Sequence, residues 1–244
     1  MPTNRSAEVY DLFWENSKLN SVTVRQFRKR IDEYLATTDP VRPALQYSAS
    51  DVLLERPRDR LARLMERRRS IRQFADAPLP TRKLGNLFAA FASSRHGSRT
   101  FASAGAAYPL EVFCLVNRVE AAALDRTAVY YNHDNHSLAV VARLPDWSDL
   151  ADMVNLEHAI GVPQLVFIFV LFPERATAKY GERGGRFALI EVGHAAQNLA
   201  LRLVAEDMVG CEAGVLFDEQ IKTLLRLERT SSQVALGYAC GLAG

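Results

Sequence analysis

The stretch "QLVFIFVLF", residues 164–172, limits what this chain can fold into more than any other segment. From Leu165 onward it carries no polar side chain, and it is rich in the β-branched and aromatic residues that suit a pleated strand. A strand with apolar residues at consecutive positions must be covered on both faces, so it belongs in the centre of a sheet. The same run is the longest apolar stretch of the chain, and it falls far short of the roughly 20 residues that a membrane-spanning helix needs. The opening residues "MPTNRSAEVYDLFWENSKLN" also lack the basic-then-apolar design of a signal peptide. A soluble, cytoplasmic protein is expected.

With 48% hydrophobic residues in 244, the chain can bury a full core as one compact domain plus an appendage. Lysine and arginine (30) nearly balance aspartate and glutamate (28), so charge offers no argument for a nucleic-acid or membrane partner. Cys114, Cys211 and Cys240 are widely spaced and form no C-x-x-C pair, which makes them small core residues rather than disulfide or metal ligands.

Helices and strands alternate around the central strand. Val24, Phe27, Ile31 and Leu35 fall at helical spacing, and "DPVRP" at 39–43 ends that helix because proline cannot continue it. Residues 1–57 read as a helical appendage and 58–244 as the main domain. A helix in "RDRLARLMERR" precedes another starting at Thr81, with Thr81 as N-cap and Leu84, Leu87, Phe88 and Phe91 inward. "LEVFCLVN" reads as a strand and "TAVYYNHDNHSLAVVA" as a hairpin turning at "NHDN". The longest helix is expected over 185–208, where Leu189, Val192, Ala196, Leu199 and Leu203 repeat at three- and four-residue steps. A short helix, "DEQIKTLLRL", and a last strand, "SQVALGYA", close the chain. The pattern suits an α+β layered fold, which alone names no function.

Two constellations carry chemistry. "RRRSIRQF" crowds Arg68, Arg69, Ser70 and Arg72 at the end of a helix, and guanidinium forks match phosphate oxygens, although a basic run is also what a solvated surface looks like. "SAGAAYP", residues 103–109, lets backbone approach a flat ligand at Gly105, with Ser103 and Tyr108 as hydrogen-bonding or stacking groups; the plainer reading is a tight turn.

Taken together, "RRSIRQF" on a helix and, about thirty residues later, "SAGAAYPLEVF" resemble the nitroreductase-fold flavoproteins, which bind FMN at a dimer interface. More narrowly, "SAGAAYPLEVF", "KYGERGGRFALIEVGHAAQN", "ALGYA" and the N-terminal "LFWENSKLN" are similar to the SagB-type azoline dehydrogenases of thiazole/oxazole-modified peptide pathways. This resemblance implies a central, mostly antiparallel sheet flanked by helices, with a long helix at a homodimer interface. The reaction it implies is oxidation of a peptide thiazoline or oxazoline to the azole, with a cyclodehydratase as a possible partner and a precursor or carrier-bound peptide as substrate. It makes Lys179 and Tyr180 the catalytic pair, followed by Arg183 and Arg186 in the family's spacing. An amine acts as base only when neutral, and burial beside the cofactor next to a guanidinium disfavours its charged form.

By the same resemblance Arg68, Ser70 and Arg72, with Arg69 in addition, hold the FMN phosphate and polar flavin edge, and Ser103 and Gly105 reach the FMN of the other subunit. Glu212, Ala213 and Gly214 face flavin N5 just before a short helix. The chain departs from the pattern at Ala102, where many relatives carry proline, and at its C-terminus, where no basic phosphate ligand stands. Arg183 or Arg186 would then share that task. Glu191 and His194 have the spacing of a di-metal motif, but no second copy exists, so no metal is expected and the pair reads as a polar helix face at the subunit interface. Gln197 and Asn198 read as groups that hydrogen-bond across the dimer, and His133 and His136 as exposed turn residues. Two alternatives stay open: an NAD(P)H-dependent nitro- or quinone reductase, and a flavin-free scaffold subunit of a peptide-modifying complex.

Overall fold

A computed structural model describes residues 8–37, 45, 52–156 and 160–244. Six strands, β1 (Leu110–Val116), β2 (Thr127–Asn132), β3 (Ser137–Arg143), β4 (Leu165–Leu171), β5 (Met208–Ala213) and β6 (Gln233–Leu242), form one sheet in the order β3-β2-β1-β4-β6-β5. Every neighbouring pair is antiparallel. The apolar strand β4 lies between β1 and β6 with all seven residues buried, as its lack of polar side chains requires.

Among the described residues eight α-helices accompany the sheet: α1 (Glu8–Ser17), α2 (Thr23–Thr37), α3 (Arg60–Arg67), α4 (Thr81–Phe88), α5 (Trp147–Met153), α6 (Glu174–Tyr180), α7 (Glu182–Ala205) and α8 (Asp218–Leu224). On one face α7 packs Ala188, Val192, Ala195, Ala196, Leu199 and Leu203 into the core, beside an aromatic group of Phe88, Phe91, Tyr131, Phe167 and Phe169. On the other, Leu150 of α5 and Ile221 of α8 meet Leu115, Val166 and Ile168. All three cysteines are buried and free. Among the described residues no helix is long and apolar enough to cross a membrane, and no group of three or more His, Cys, Asp or Glu could hold a metal.

Several boundaries differ from expectation. The long helix runs over Glu182–Ala205 rather than 185–208; Asp207, at φ 50°, turns the chain, and Met208 opens the unforeseen strand β5. Gly210 explains how that strand fits, since a Cβ there would stand 2.6 Å from the Ala239 carbonyl oxygen of β6. Leu189 is 38% exposed and, with Ile190, lies on the outer side of α7. Pro80, not Thr81, is the N-cap of α4. On α2 only Val24 is buried, while Phe27, Ile31 and Leu35 are exposed. The "DPVRP" stop at 39–43 lies outside the described residues, although α2 ends at Thr37.

The segment "YGERGGRF" is explained by packing. Gly181, at φ 57°, separates α6 from α7, and a Cβ on Gly184 would lie 2.6 Å from Ala176 backbone, so the two helices meet there only without a side chain. Gly185 receives the Tyr10 ring, against which a Cβ would sit at 2.2 Å. The Glu182 carboxylate accepts from the backbone N–H groups of Val9 and Tyr10 at 3.1 and 2.9 Å, placing an anion at the N-terminus of α1. Tyr10 and Trp14 thereby join the main core, and the Tyr10 hydroxyl donates to Gln233 Oε1 at 2.8 Å. Gly185→Ala should force the Tyr10 ring off α7 and destabilise the protein by about 1–3 kcal/mol. A lowered urea midpoint, with new protease sensitivity near α1, is the expected measurement; an unchanged midpoint would refute the close fit.

Candidate functional site

The sequence candidates gather in two places. In the first, the chain beyond α3 is extended rather than helical: Ser70 bridges in parallel to Gly210 of β5, and the Ile71 N–H donates to the Gly210 carbonyl at 3.0 Å. Arg67, Arg68 and Arg69 thus line a cavity of about 160 Å³ with Ile71, Gly210 and Tyr238. Arg67 is paired with Asp207, and Arg69 donates to the carbonyls of Glu66 and Arg68. Arg68 reaches Ser70 Oγ at 3.5 Å, and Arg72 lies near Cys211. Among the described residues neither Arg68 nor Arg72 is ion-paired with a carboxylate. Two guanidinium groups without a carboxylate partner among the described residues, a hydroxyl and an apolar wall make a donor set that fits a phosphorylated aromatic ligand.

In the second place, Lys179 and Tyr180 end the short helix α6, which was not foreseen, instead of leading into the long helix. Lys179 Nζ donates to the Gly105 carbonyl at 3.1 Å, and a Cβ on Gly105 would stand 2.1 Å from the Tyr180 hydroxyl oxygen and 2.5 Å from Lys179 Nζ. The φ of 53° favours glycine there, and a side chain would displace the tips of Lys179 and Tyr180. Ala106 and Tyr108 also have positive φ, a concentration of backbone strain in one loop. Tyr180 meets Phe187 of α7 edge-on at 5.1 Å. The lone chain leaves Lys179 exposed, so the expected burial is not met within it.

The two places lie toward opposite ends of the sheet: Gly210 pairs with Cys240, which pairs with Leu165 at the start of β4, whereas the Lys179–Tyr180 place lies where β4 ends. Leu110, the first residue of β1, pairs with Leu171 at the end of β4, which pairs with Gln233 at the start of β6. β5 runs antiparallel to β6, so Gly214 emerges at this same end, three strand spacings or about 14 Å across the sheet from β1. Glu212 and Ala213 lie within β5, Glu212 exposed and Ala213 buried, rather than in a free segment before α8. Ala213 and Gly214 border a cavity of about 140 Å³ walled by Trp14, Phe27, Leu236 and Asp218. Arg183 and Arg186 are exposed on the first turns of α7, and neither side chain bonds to a described residue.

Other polar groups lie partly against expectation, although His136 is exposed as its turn position implied. Glu191 is 1% exposed, not on an outer face; it accepts from the Leu110 N–H at 3.3 Å and bonds the Ser103 hydroxyl, and burial pushes its carboxyl up from the ordinary range. Ser103 Oγ also accepts from the Tyr108 N–H at 2.9 Å, so this hydroxyl is turned inward. Asn198 donates to the Thr100 carbonyl at 3.0 Å within the same chain. His133 is half-buried, between Ser93 Oγ at 3.0 Å and Arg99 Nη2 at 2.8 Å, and exposed His136 bonds the Tyr131 hydroxyl at 2.8 Å. Glu111 was missed altogether. It is buried at the start of β1, accepts from Arg99, Arg175 and the Tyr130 hydroxyl, and with them pins the loop before β1. A glutamate inside the otherwise apolar "LEVFCLV" was the available signal, because a buried carboxylate needs partners.

A profile of the nitroreductase family matches residues 65–241. The chain belongs to the nitroreductase family. A protein of Methanocaldococcus jannaschii assigned as a nitroreductase is 31% identical over 171 residues, 69% of this chain and 85% of its own length. Among solved structures, the E. coli microcin synthetase McbBCD complex with truncated pro-MccB17 bound superposes on this nitroreductase-family chain with TM-score 0.66 and 21% identity, over 91% of this chain and 92% of that one. A Desulfovibrio desulfuricans nitroreductase-family structure in complex with FMN gives TM-score 0.51 and 17% identity, over 77% and 88%. At these identities the two structures establish the nitroreductase-like fold.

The Asp218 carboxyl, at the border of the Gly214 cavity, is pushed up to about 6 by burial, which outweighs the bond it accepts from the Leu19 N–H at 3.2 Å. Its folded value lies above the unfolded 3.8, so the folded chain binds this proton more tightly. The associated stability is present below about pH 4 and is lost as pH rises through about 6. Asp218→Asn keeps an acceptor for Leu19 and should gain in melting temperature relative to the parent between pH 4 and 7. Parallel melting curves across that range would show the carboxyl to be unperturbed.

Proposed function

We propose that this nitroreductase-family oxidoreductase is an FMN-dependent azoline dehydrogenase acting on a thiazoline- or oxazoline-bearing peptide. The observation that carries the reading is the meeting of Lys179, Tyr180 and Gly105, at 3.1 Å for the lysine, at the end of the sheet where Gly214 emerges. The likeness to the peptide-bound microcin synthetase complex supports a peptide substrate and partner subunits of a synthetase, among which a cyclodehydratase would supply the azoline.

Arg68, Arg69, Ser70 and Arg72 bind the phosphate and polar edge of the cofactor, with the backbone of Glu212, Ala213 and Gly214 against its ring. FMN held there would supply a hydride acceptor for the hydrogen that leaves one ring carbon of the azoline. Lys179, as the neutral amine, takes the proton from the neighbouring ring carbon, so that two hydrogens leave and the ring becomes aromatic. Tyr180 donates a hydrogen bond to the ring nitrogen. The outer side of α7, where Leu189 and Ile190 are exposed, meets a second copy, which buries Lys179 and brings Arg183 and Arg186 toward the cofactor. In that pairing Gly105 faces the partner's cofactor with its backbone, while Ser103 holds the loop.

A nitro- or quinone reductase, which the Methanocaldococcus relative favours, would need no base. Lys179→Ala separates the two: azoline oxidation should fall by about 10²–10⁴-fold, measured as loss of two hydrogens per ring by peptide mass spectrometry, while nitro-compound reduction with the reduced flavin persists. Parent-like azoline oxidation by the variant would sink the role of the pair. Purified protein without a flavin spectrum would point instead to a scaffold subunit. Arg72→Ala should weaken FMN binding by about 1.5–3 kcal/mol without lowering the melting temperature of the flavin-free chain; full flavin occupancy after dialysis would remove Arg72 from the site.

A further inference from the structure

Three polar residues of α7, at 191, 194 and 198, fall on one stripe of the helix and reach the same loop. Asn198 donates to the Thr100 carbonyl at 3.0 Å. His194 Nδ1 lies 3.1 Å from the Ala102 carbonyl, a contact that requires the proton on Nδ1. Glu191 takes the Ser103 hydroxyl and, at 3.3 Å, the Leu110 N–H. The loop therefore runs antiparallel to the helix, is held at residues 100, 102 and 103, and is held again where β1 begins. Between the two Glu191 contacts the chain makes its excursion through left-handed Gly105, Ala106 and Tyr108, and at its tip the Gly105 carbonyl receives Lys179. Ser103 Oγ closes the base of that excursion by accepting from the Tyr108 N–H at 2.9 Å.

We infer that Glu191 is a positioning residue: by gripping both ends of the 103–110 excursion it fixes the Gly105 carbonyl that holds the Lys179 amine beside Tyr180. A forked polar group is needed because one end presents a backbone N–H, which only donates, and the other a hydroxyl, which can donate or accept. Burial of the carboxylate follows from that geometry, since α7 must lie against the loop for both contacts to form. The Glu111–Arg175 pair secures the opposite side, where Arg175 donates to the Tyr108 carbonyl at 3.1 Å, so the loss of Glu191 frees the tip without detaching the loop.

The catalytic consequence rests on the azoline-dehydrogenase reading, but the position of Lys179 can be measured without it. In the full-length protein, trace acetylation with acetic anhydride, read by mass spectrometry, compares Lys179 with exposed Lys29 as internal reference. Glu191→Ala should raise the relative labelling of Lys179 by about fivefold, the ratio one net hydrogen bond is worth. Glu191→Gln, which retains an oxygen for Leu110 and an amide for Ser103, should return it to the parent value. With azoline peptide, Glu191→Ala should lower kcat by about 10- to 100-fold and leave KM unchanged, and Glu191→Gln should recover kcat. Should Glu191→Ala fail to fold, Ser103→Ala tests the same link and should also raise Lys179 labelling. Folded Glu191→Ala or Ser103→Ala protein with parent labelling overturns the inference, as does a folded Glu191→Gln that behaves like the alanine variant. If the parent oxidises no azoline, the proposed activity fails, and the labelling ratios still decide whether Glu191 positions Lys179.

Discussion

The close seat of α7 on the sheet is the constraint on which the rest of the molecule depends. Ala188, Ala195, Ala196 and Ala200 bring its backbone near the strands, and Gly184 and Gly185 extend that closeness to α6 and to the Tyr10 ring. A helix this near the sheet can act as a rail. Its first residue, Glu182, caps α1; α6, with Lys179 and Tyr180, docks at its start; and its polar stripe holds the loop that leads into β1. Larger inward side chains would lift the helix and separate all three, because tightly packed interiors do not yield without cost.

Charge burial then sharpens what packing has arranged. Glu111 and Glu191 lie on opposite sides of the 99–110 loop, the first satisfied by two arginines and a tyrosine hydroxyl, the second by a serine hydroxyl and a backbone N–H. A buried carboxylate left without partners is costly, so each defines one arrangement of the loop around it. The strained backbone at Gly105, Ala106 and Tyr108 persists because it is held from both sides. Arg99 links the two systems, stacking its guanidinium over the Tyr108 ring at 5.0 Å and pairing with Glu111.

Much of the architecture was legible in the chain. The unbroken apolar run placed β4 at the sheet interior, the alternation in "TAVYYN" and "SLAVVA" placed the hairpin, and three- and four-residue steps placed the long helix. The failures share a cause. Met208 continued the helical spacing of α7 in sequence, yet the left-handed turn at Asp207 and the pairing of Gly210 with β6 make it a strand residue. Leu189 fitted the apolar repeat but falls on the outer side, since a 24-residue helix rotates its stripe away from any short repeat read by eye. The stripe on α2 was correctly spaced and is mostly exposed, because spacing states which residues share a face and not whether anything covers it.

The candidate groups divide along the same line. Residue type and order alone singled out Arg68, Arg69, Ser70, Arg72, Ser103 and Gly105, because guanidinium forks, a hydroxyl and a permissive glycine are chemical statements written locally, whereas Lys179 and Tyr180 came from the family resemblance. That Gly105 and Lys179, 74 positions apart, touch within one chain was decided only when antiparallel pairing of β1 with β4 brought the start of one strand to the end of the other. The sequence likewise contained Glu191 and His194 at helical spacing, which without a second copy of the motif reads as a polar helix face at a subunit interface. Only the rotation of α7 against the loop before β1 made the pair an inward clamp, since which side of a helix is buried is a property of its neighbours and not of its own residues.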